Sequence, residues 1–167
     1  STENITSTTI NLNAAALGNA ILATTDDTAI TGAIVGNSGA AAGATQILVS
    51  GTAKTAIFNG AITGLDLISV SEGTGSFKTD VTLNSGGAMK VEHANGDILF
   101  NGTTDAKLTG NVTATDGEGT FTSDIAALKT LTVTGTVGVT GARLLEVEVA
   151  NDSNTIFQDK VFALTMD

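Results

Sequence analysis

Between Thr130 and Thr140 the chain reads Thr-Leu-Thr-Val-Thr-Gly-Thr-Val-Gly-Val-Thr, an alternation of period two that a helix cannot keep on one face. Leu131, Val133, Val137 and Val139 fall on one side. Thr130, Thr132, Thr134, Thr136 and Thr140 fall on the other, and Gly135 and Gly138 interrupt the rows as bends. Leu145, Val147 and Val149 alternate with Glu146 and Glu148 in the same manner. Such spacing predicts strands with one buried and one wet face.

Shorter runs of the same kind occur at 8–12, 29–35, 46–50, 65–71, 89–92, 97–100, 106–115, 155–158 and 161–166. Asn59-Gly60, Asn95-Gly96, Asn101-Gly102 and Asp116-Gly117 punctuate them as turns. Helix is predicted only over Asn13–Ala23 and Asp124–Leu128, both short and rich in Ala. Thr and Val favour a pleated surface, whereas 20 Gly are costly inside helices. A chain of 167 residues with 41% hydrophobic residues has the means to bury a core. With only 4% aromatic residues, that core must be thin, as in stacked sheets or a narrow solenoid.

The halves show a faint repeat. Ile47-Leu48-Val49-Ser50-Gly51-Thr52 aligns with Leu131-Thr132-Val133-Thr134-Gly135-Thr136, and looser matches follow downstream. On this basis the chain reads as one all-β unit, 1–167, built from two degenerate repeats at about 1–84 and 85–167. The sequence at 110–121, Gly-Asn-Val-Thr-Ala-Thr-Asp-Gly-Glu-Gly-Thr-Phe, is followed by Asp-Ile-Ala-Ala-Leu-Lys-Thr-Leu-Thr-Val-Thr-Gly at 124–135. Together with Leu-Leu-Glu-Val-Glu-Val-Ala-Asn at 144–151 and Asn-Thr-Ile-Phe-Gln-Asp at 154–159, it resembles repeats of bacterial autotransporter passengers, the rickettsial large outer-membrane proteins above all. The resemblance covers mainly 105–166, is one of composition and cadence, and carries no functional residue. It implies a parallel β-solenoid with an adhesive or structural role at a cell surface. The rival architecture is a β-sandwich, jelly-roll-like filament subunit.

Charge and composition narrow the chemistry. Seven basic against 17 acidic residues give a net charge of −10, which argues against a nucleic-acid partner. No Cys is present, so disulfides, thiolate metal sites and thiol catalysis are excluded. No apolar run is long enough for a membrane-spanning helix. His93, the single histidine, stands near a turn without a nucleophile elbow in the sequence: Gly36-Asn37-Ser38-Gly39 is one residue short of that motif. Glu146 and Glu148 form a carboxylate pair, but the Trp and Tyr that line sugar-binding clefts are absent. The glycine-rich stretch at 36–43 lacks a following Lys and reads as a loop rather than a phosphate cradle.

Calcium is the cofactor the acids could take. Asp26, Asp27, Asp97, Asp105, Asp116 and Glu118 offer hard oxygen ligands near turns, although neither the EF-hand nor the nonapeptide calcium repeat is present. Four glycosylation sequons begin at Asn4, Asn101, Asn111 and Asn151. The threonine row at 130–136 would order water, as on ice-binding faces, if it were stacked with others.

Both ends resemble unguarded sheet edges, without Pro and with few Lys. Thr8, Ile10 and Leu12 at one end, and Phe162, Leu164 and Met166 at the other, are candidate assembly residues, each triplet taken to share a strand. The reading that follows is a non-enzymatic, extracellular or cell-surface structural protein: an adhesin stalk, surface layer or filament that self-associates through strand edges. A ligand-binding module for calcium, glycan or ice is the alternative, and a hydrolase the remotest.

Overall fold

The computed structural model describes residues 3–14, 18–37 and 44–167. It is all-β, without helix, and its strands pair in parallel as a β-solenoid. The first coil holds β1 (Glu3–Leu12) and β2 (Ala20–Thr24), the second β3 (Thr28–Gly36) and β4 (Thr45–Val49). β5 (Thr55–Phe58) and β6 (Ile62–Val70) make the third, and β7 (Gly73–Phe77) and β8 (Val81–Val91) the fourth. The fifth contains β9 (Gly96–Phe100), β10 (Ala106–Thr109) and β11 (Asn111–Ala114), and the sixth β12 (Glu118–Ser123) and β13 (Thr130–Val133). β14 (Leu144–Val149) and β15 (Asn154–Phe157) form the seventh, and β16 (Ala163–Met166) begins another.

Each coil turns past three faces. On the first, β1, β3, β5, β7, β9, β12, β14 and β16 stack in that order. The second continues from the later half of β1 through β3, β6, β8, β10, β13 and β15. On the third, β2, β4, β6, β8 and β11 pair, and single bridges through Val137 and Val161 carry the stack onward. The long strands β1, β3, β6 and β8 bend from one face to the next. At such a bend Gly32, with φ of 112°, faces the extra residue of a bulge in β1, and a Cβ there would lie 1.8 Å from the Ser7 carbonyl oxygen.

Inward positions fill the spiral's axis. Ile47, Ile68, Met89, Val112 and Val137 form a fully buried column on the third face. Phe58, Phe77 and Phe100 lie in register on the first face, with ring centroids 5.1 and 5.4 Å apart. Phe121 extends the series at 5.9 Å, and Phe157 meets it edge-on at 6.3 Å. Few aromatic residues therefore suffice, because five of the six Phe stand in one stack.

Several sequence expectations need correction. The predicted first helix, Asn13–Ala23, ends instead in β2 (Ala20–Thr24), with the Ala20 N–H bonded to the Ala44 carbonyl at 3.0 Å; residues 15–17 lie outside the described residues, as do 38–43 of the predicted loop. Asp124–Leu128 is a turn, not a helix. The N–H groups of Asp124 and Ala126 are given to Phe100 and Gly102 on the preceding coil, at 2.8 and 3.1 Å, and the Lys129 N–H closes a single turn on the Ala126 carbonyl at 3.0 Å. The run at 106–115 breaks at Gly110, φ 142°, into β10 and β11 on different faces. Leu145 is exposed, while Leu144 and Val147 are buried. Opposite Leu145, Gly119 takes φ of 63°, and the alternation of β14 breaks there although its pairing with β12 keeps register on both sides.

The duplication at an offset of 84 joins positions on different faces: Ile47 belongs to the third and Leu131 to the second. The unit that recurs is one coil. Its length varies, from 28 residues between Thr28 and Ala56, to 19 between Thr55 and Thr74, and 23 between Thr74 and Asp97.

Removing a ring from the middle of the aromatic stack opens a cavity between coils. Phe100→Ala is expected to lower the unfolding free energy by about 3–5 kcal/mol in urea titrations, and half-buried Phe162, outside the stack, by less than half as much. Equal losses at the two positions would contradict a continuous aromatic column.

Candidate functional site

The acids proposed as calcium ligands sit mostly at corners, where a coil leaves one face for the next. Asp27 accepts the Thr55 N–H at 3.0 Å and Asp105 the Thr130 N–H at 2.8 Å. Asp116 accepts the Arg143 N–H at 3.0 Å and also its guanidinium, at 2.9 and 3.2 Å. Asp80, not singled out from the sequence, does the same for Lys107 at 2.8 Å, and Asn111 for Thr136 at 3.1 Å. In each case an Asp or Asn at the start of a strand reaches one coil onward and ties down a backbone donor there. Lys54 bridges Asp26 and Asp27 at 2.8 and 3.3 Å.

At three of these acids the contacts favour the charged carboxylate. The Lys54 ammonium lowers Asp26, the Thr55 N–H and then Lys54 lower Asp27, and the Arg143 guanidinium lowers Asp116. The six candidates are spread over three places. Asp26 and Asp27 enter β3, Asp97 and Asp105 belong to the fifth coil, and Asp116 and Glu118 enter β12. Glu118 has a buried side-chain oxygen without a hydrogen-bond partner. Among the described residues, no three His, Asp or Glu side chains converge as a metal site would require.

Asp97 differs from the corner acids. It stands half-buried on the outer side of the first face, between Thr74 and Thr120 in register, with Glu146 on the strand beyond Thr120. Thr122 donates its hydroxyl to Asp97 at 3.1 Å, and Glu148 lies opposite Thr122 on β14. Burial pushes the Asp97 carboxyl up to about 6; the Thr122 bond opposes the shift and the Glu148 charge adds to it. Glu146 and Glu148, read as a pair from the sequence, thus belong to two adjacent outward rows, Asp97–Thr120–Glu146 and Leu99–Thr122–Glu148, each crossing three strands.

The remaining sequence candidates are separate from these rows. His93 is exposed, and its Nδ1 accepts the Asn95 N–H at 3.3 Å in a tight turn. Of the sequons, Asn101 accepts the Ser76 hydroxyl at 2.8 Å and Asn111 is held by Thr136, while Asn4 and Asn151 are exposed. In the 130–136 row, Thr134 donates to the Leu108 carbonyl at 3.2 Å and Thr136 to Asn111, so the row is tied to the coil before it. A stacked threonine column does exist elsewhere: Thr63, Thr82 and Thr109 are in register on the second face. Their spacings of 19 and 27 residues hide it in the sequence.

The assembly candidates lie in the terminal coils. Thr8 occupies the bulge of β1, and Ile10 and Leu12 are half-buried against the core. At the other end, Met166 pairs with buried Val147, whereas Leu164 reaches towards Gly117 at an earlier corner. Phe162 sits at the bend before β16, its carbonyl accepting the Leu144 N–H at 3.2 Å. These three residues therefore do not share one apolar row, because Phe162 precedes the strand and Leu164 and Met166 stand against β14 where exposed Leu145 and buried Val147 break the row. Leu164 and Met166 are nonetheless 51 and 59% exposed.

No protein family, curated protein or solved structure matches the chain. Among the described residues, no helix is long and apolar enough to cross a membrane.

A pH dependence follows from Asp97. Its folded pKa, about 6, lies above the ordinary 3.8, so between those values the folded state holds a proton that the unfolded state has released. Stability from this group therefore rises as pH falls from about 6 to about 4 and is lost above 6. Asp97→Asn is expected to be more stable than the parent at pH 7.5, by about 1–3 kcal/mol, and to lack that limb of the pH–stability curve. Chemical denaturation across pH 4–8 measures this, and parallel curves for the two proteins would refute it.

Proposed function

We propose that this chain is a non-enzymatic structural module of an extracellular or cell-surface protein, a stiff β-solenoid that self-associates through its terminal strands. The distribution of exposed large apolar side chains carries the reading. Among the described residues these are Ile5, Ile21 and Val35 in the first two coils, and Leu128, Val139, Leu145, Ile156, Leu164 and Met166 from the sixth onward. The coils between contribute none. Scattered exposed apolar residues need no explanation, but their confinement to the two ends of a stack does.

The terminal strands add a second reason. Among the described residues, β1 and β2 have strand partners on one side only, as do β15 and β16, and each leaves a row of backbone donors and acceptors open to a further strand. A further coil of the same kind satisfies both the backbone and the apolar residues. The similarity of its repeats to autotransporter passengers points to the same setting, an adhesin stalk or surface fibre.

Light scattering of the 167-residue chain is expected to show polymers that grow with protein concentration. Lysine at Ile21 and Met166, 51 and 59% exposed, is expected to give monomers with unchanged circular dichroism. A parent chain that stays monomeric at high concentration, with or without calcium, would overturn the proposal.

A further inference from the structure

Asparagine followed by glycine is among the least durable dipeptides in water. The glycine nitrogen, with no Cβ beside it, can reach back and attack the asparagine side-chain amide. The chain has three such pairs, Asn59-Gly60, Asn95-Gly96 and Asn101-Gly102, each at a corner of the spiral. Their sequences are alike, but the fold treats them differently.

Asn101 is half-buried, and its side-chain oxygen accepts the hydroxyl of buried Ser76 at 2.8 Å. Its main-chain carbonyl accepts the Lys78 ammonium at 3.3 Å. Turning the Asn101 amide towards Gly102 strands the Ser76 hydroxyl in the interior, a loss that slows the reaction by about tenfold or more. Asn59 is exposed, yet its N–H and its side-chain amide both go to the Ile30 carbonyl, at 3.0 and 3.5 Å. Gly60 is pressed onto the preceding coil, where a Cβ would lie 2.1 Å from the Gly32 carbonyl oxygen, so its backbone has no room to swing.

Asn95 has neither restraint. Residues 92–95 are all exposed, and the Asn95 side-chain amide has no hydrogen-bond partner among the described residues. Its N–H goes to His93 Nδ1 at 3.3 Å, inside a turn closed by the Gly96 N–H on the His93 carbonyl at 2.9 Å. Opening that one bond at the surface frees the attacking nitrogen. The atom nearest to a Cβ built on Gly96 belongs to the Val91 side chain, at 2.7 Å, which can yield where backbone cannot. Meanwhile the Asn95 carbonyl accepts the Gly73 N–H at 3.1 Å and keeps the corner seated on the coil before it. Asp116-Gly117 could react in the same way, but its carboxylate is ionised and bound by Arg143, which makes it a poor target.

We infer that Asn95 is a site of spontaneous modification by water, reacting ahead of the other two pairs. Hydroxide removes the Gly96 amide proton, the nitrogen bonds to the Asn95 side-chain carbon, and ammonia leaves to give a cyclic imide. Water then opens the ring at either carbonyl. One product is aspartate; the other is isoaspartate, in which the main chain runs through the former side chain and is one methylene longer. Both add one negative charge. In isoaspartate the carbonyl that held Gly73 becomes a free carboxylate, so the corner joining β8 to β9 is lengthened and recharged at once. The site is independent of self-association.

The test is peptide mapping of the folded full chain during storage in mildly alkaline buffer. Asn95 is expected to convert about tenfold faster than Asn59 or Asn101, with isoaspartate the larger product and a matching acidic shift on anion exchange. In urea the three pairs are expected to react at similar rates, because only the fold separates them. Ser76→Ala releases the Asn101 amide and is expected to speed conversion there without changing Asn95, while Asn95→Gln removes the early acidic shift. Equal rates at the three pairs in the folded chain, earlier reaction at Asn59 or Asn101, or an Asn95 that stays an amide would each overturn the assignment.

Discussion

Every coil of this protein bonds its backbone to its neighbours and hardly at all to itself. The Ser71 N–H goes back to Val49, Glu92 to Val70 and Thr115 to Val91, and at another corner Lys78 goes back to Phe58, Asn101 to Phe77 and Asp124 to Phe100. Since buried backbone groups must be paired, no coil can stand alone. The inward columns obey the same rule, because each ring of the Phe stack is covered by rings on adjacent coils rather than by its own. A fold of this kind is complete in its middle and open at its ends, whatever its length.

The individual strands were largely legible, and their arrangement was not. Runs at 29–35, 89–92 and 97–100 announce β3, the end of β8 and β9, because an apolar residue occupies every second position. β7 escaped because its inward positions are held by Gly75 and Phe77, and the Phe77 ring fills the space that a side chain at 75 would need: a Cβ there would lie 3.1 Å from it. β2 escaped because Ile21 points outward and Leu22 is only half covered, so its Ala-rich sequence shows no alternation. The coil period escaped because corners absorb different numbers of residues. The best recurring signal was Phe58-Asn59-Gly60 and Phe100-Asn101-Gly102, an inward ring followed by the same corner two coils apart.

The candidate site was misread for a related reason. An Asp at a turn looks identical in sequence whether it awaits a cation or a backbone donor from the next coil. Asp27, Asp80, Asp105 and Asp116 each accept such a donor. The donors belong to residues 27, 28 or 25 positions later, a spacing set by coil length and invisible to motif search. Asp97 was singled out for its turn, yet it acts from the middle of a face, where burial rather than a corner sets its chemistry.

The same acids set the charge of the fold's outer surface. Most carboxylates lie at corners and on outer faces, so a net charge of −10 is displayed sideways and towards the last coil. Lateral packing of two stacks brings those charges together and is opposed, which a sheet protein with open edges requires if it is to avoid disordered aggregation. In the first coil the acids stand at the margins, since Glu3 opens β1 and Asp26 and Asp27 follow β2, while Asn4–Leu12 and β2 between them carry no charge. Acidity in this chain is best understood as a property of its sides and corners.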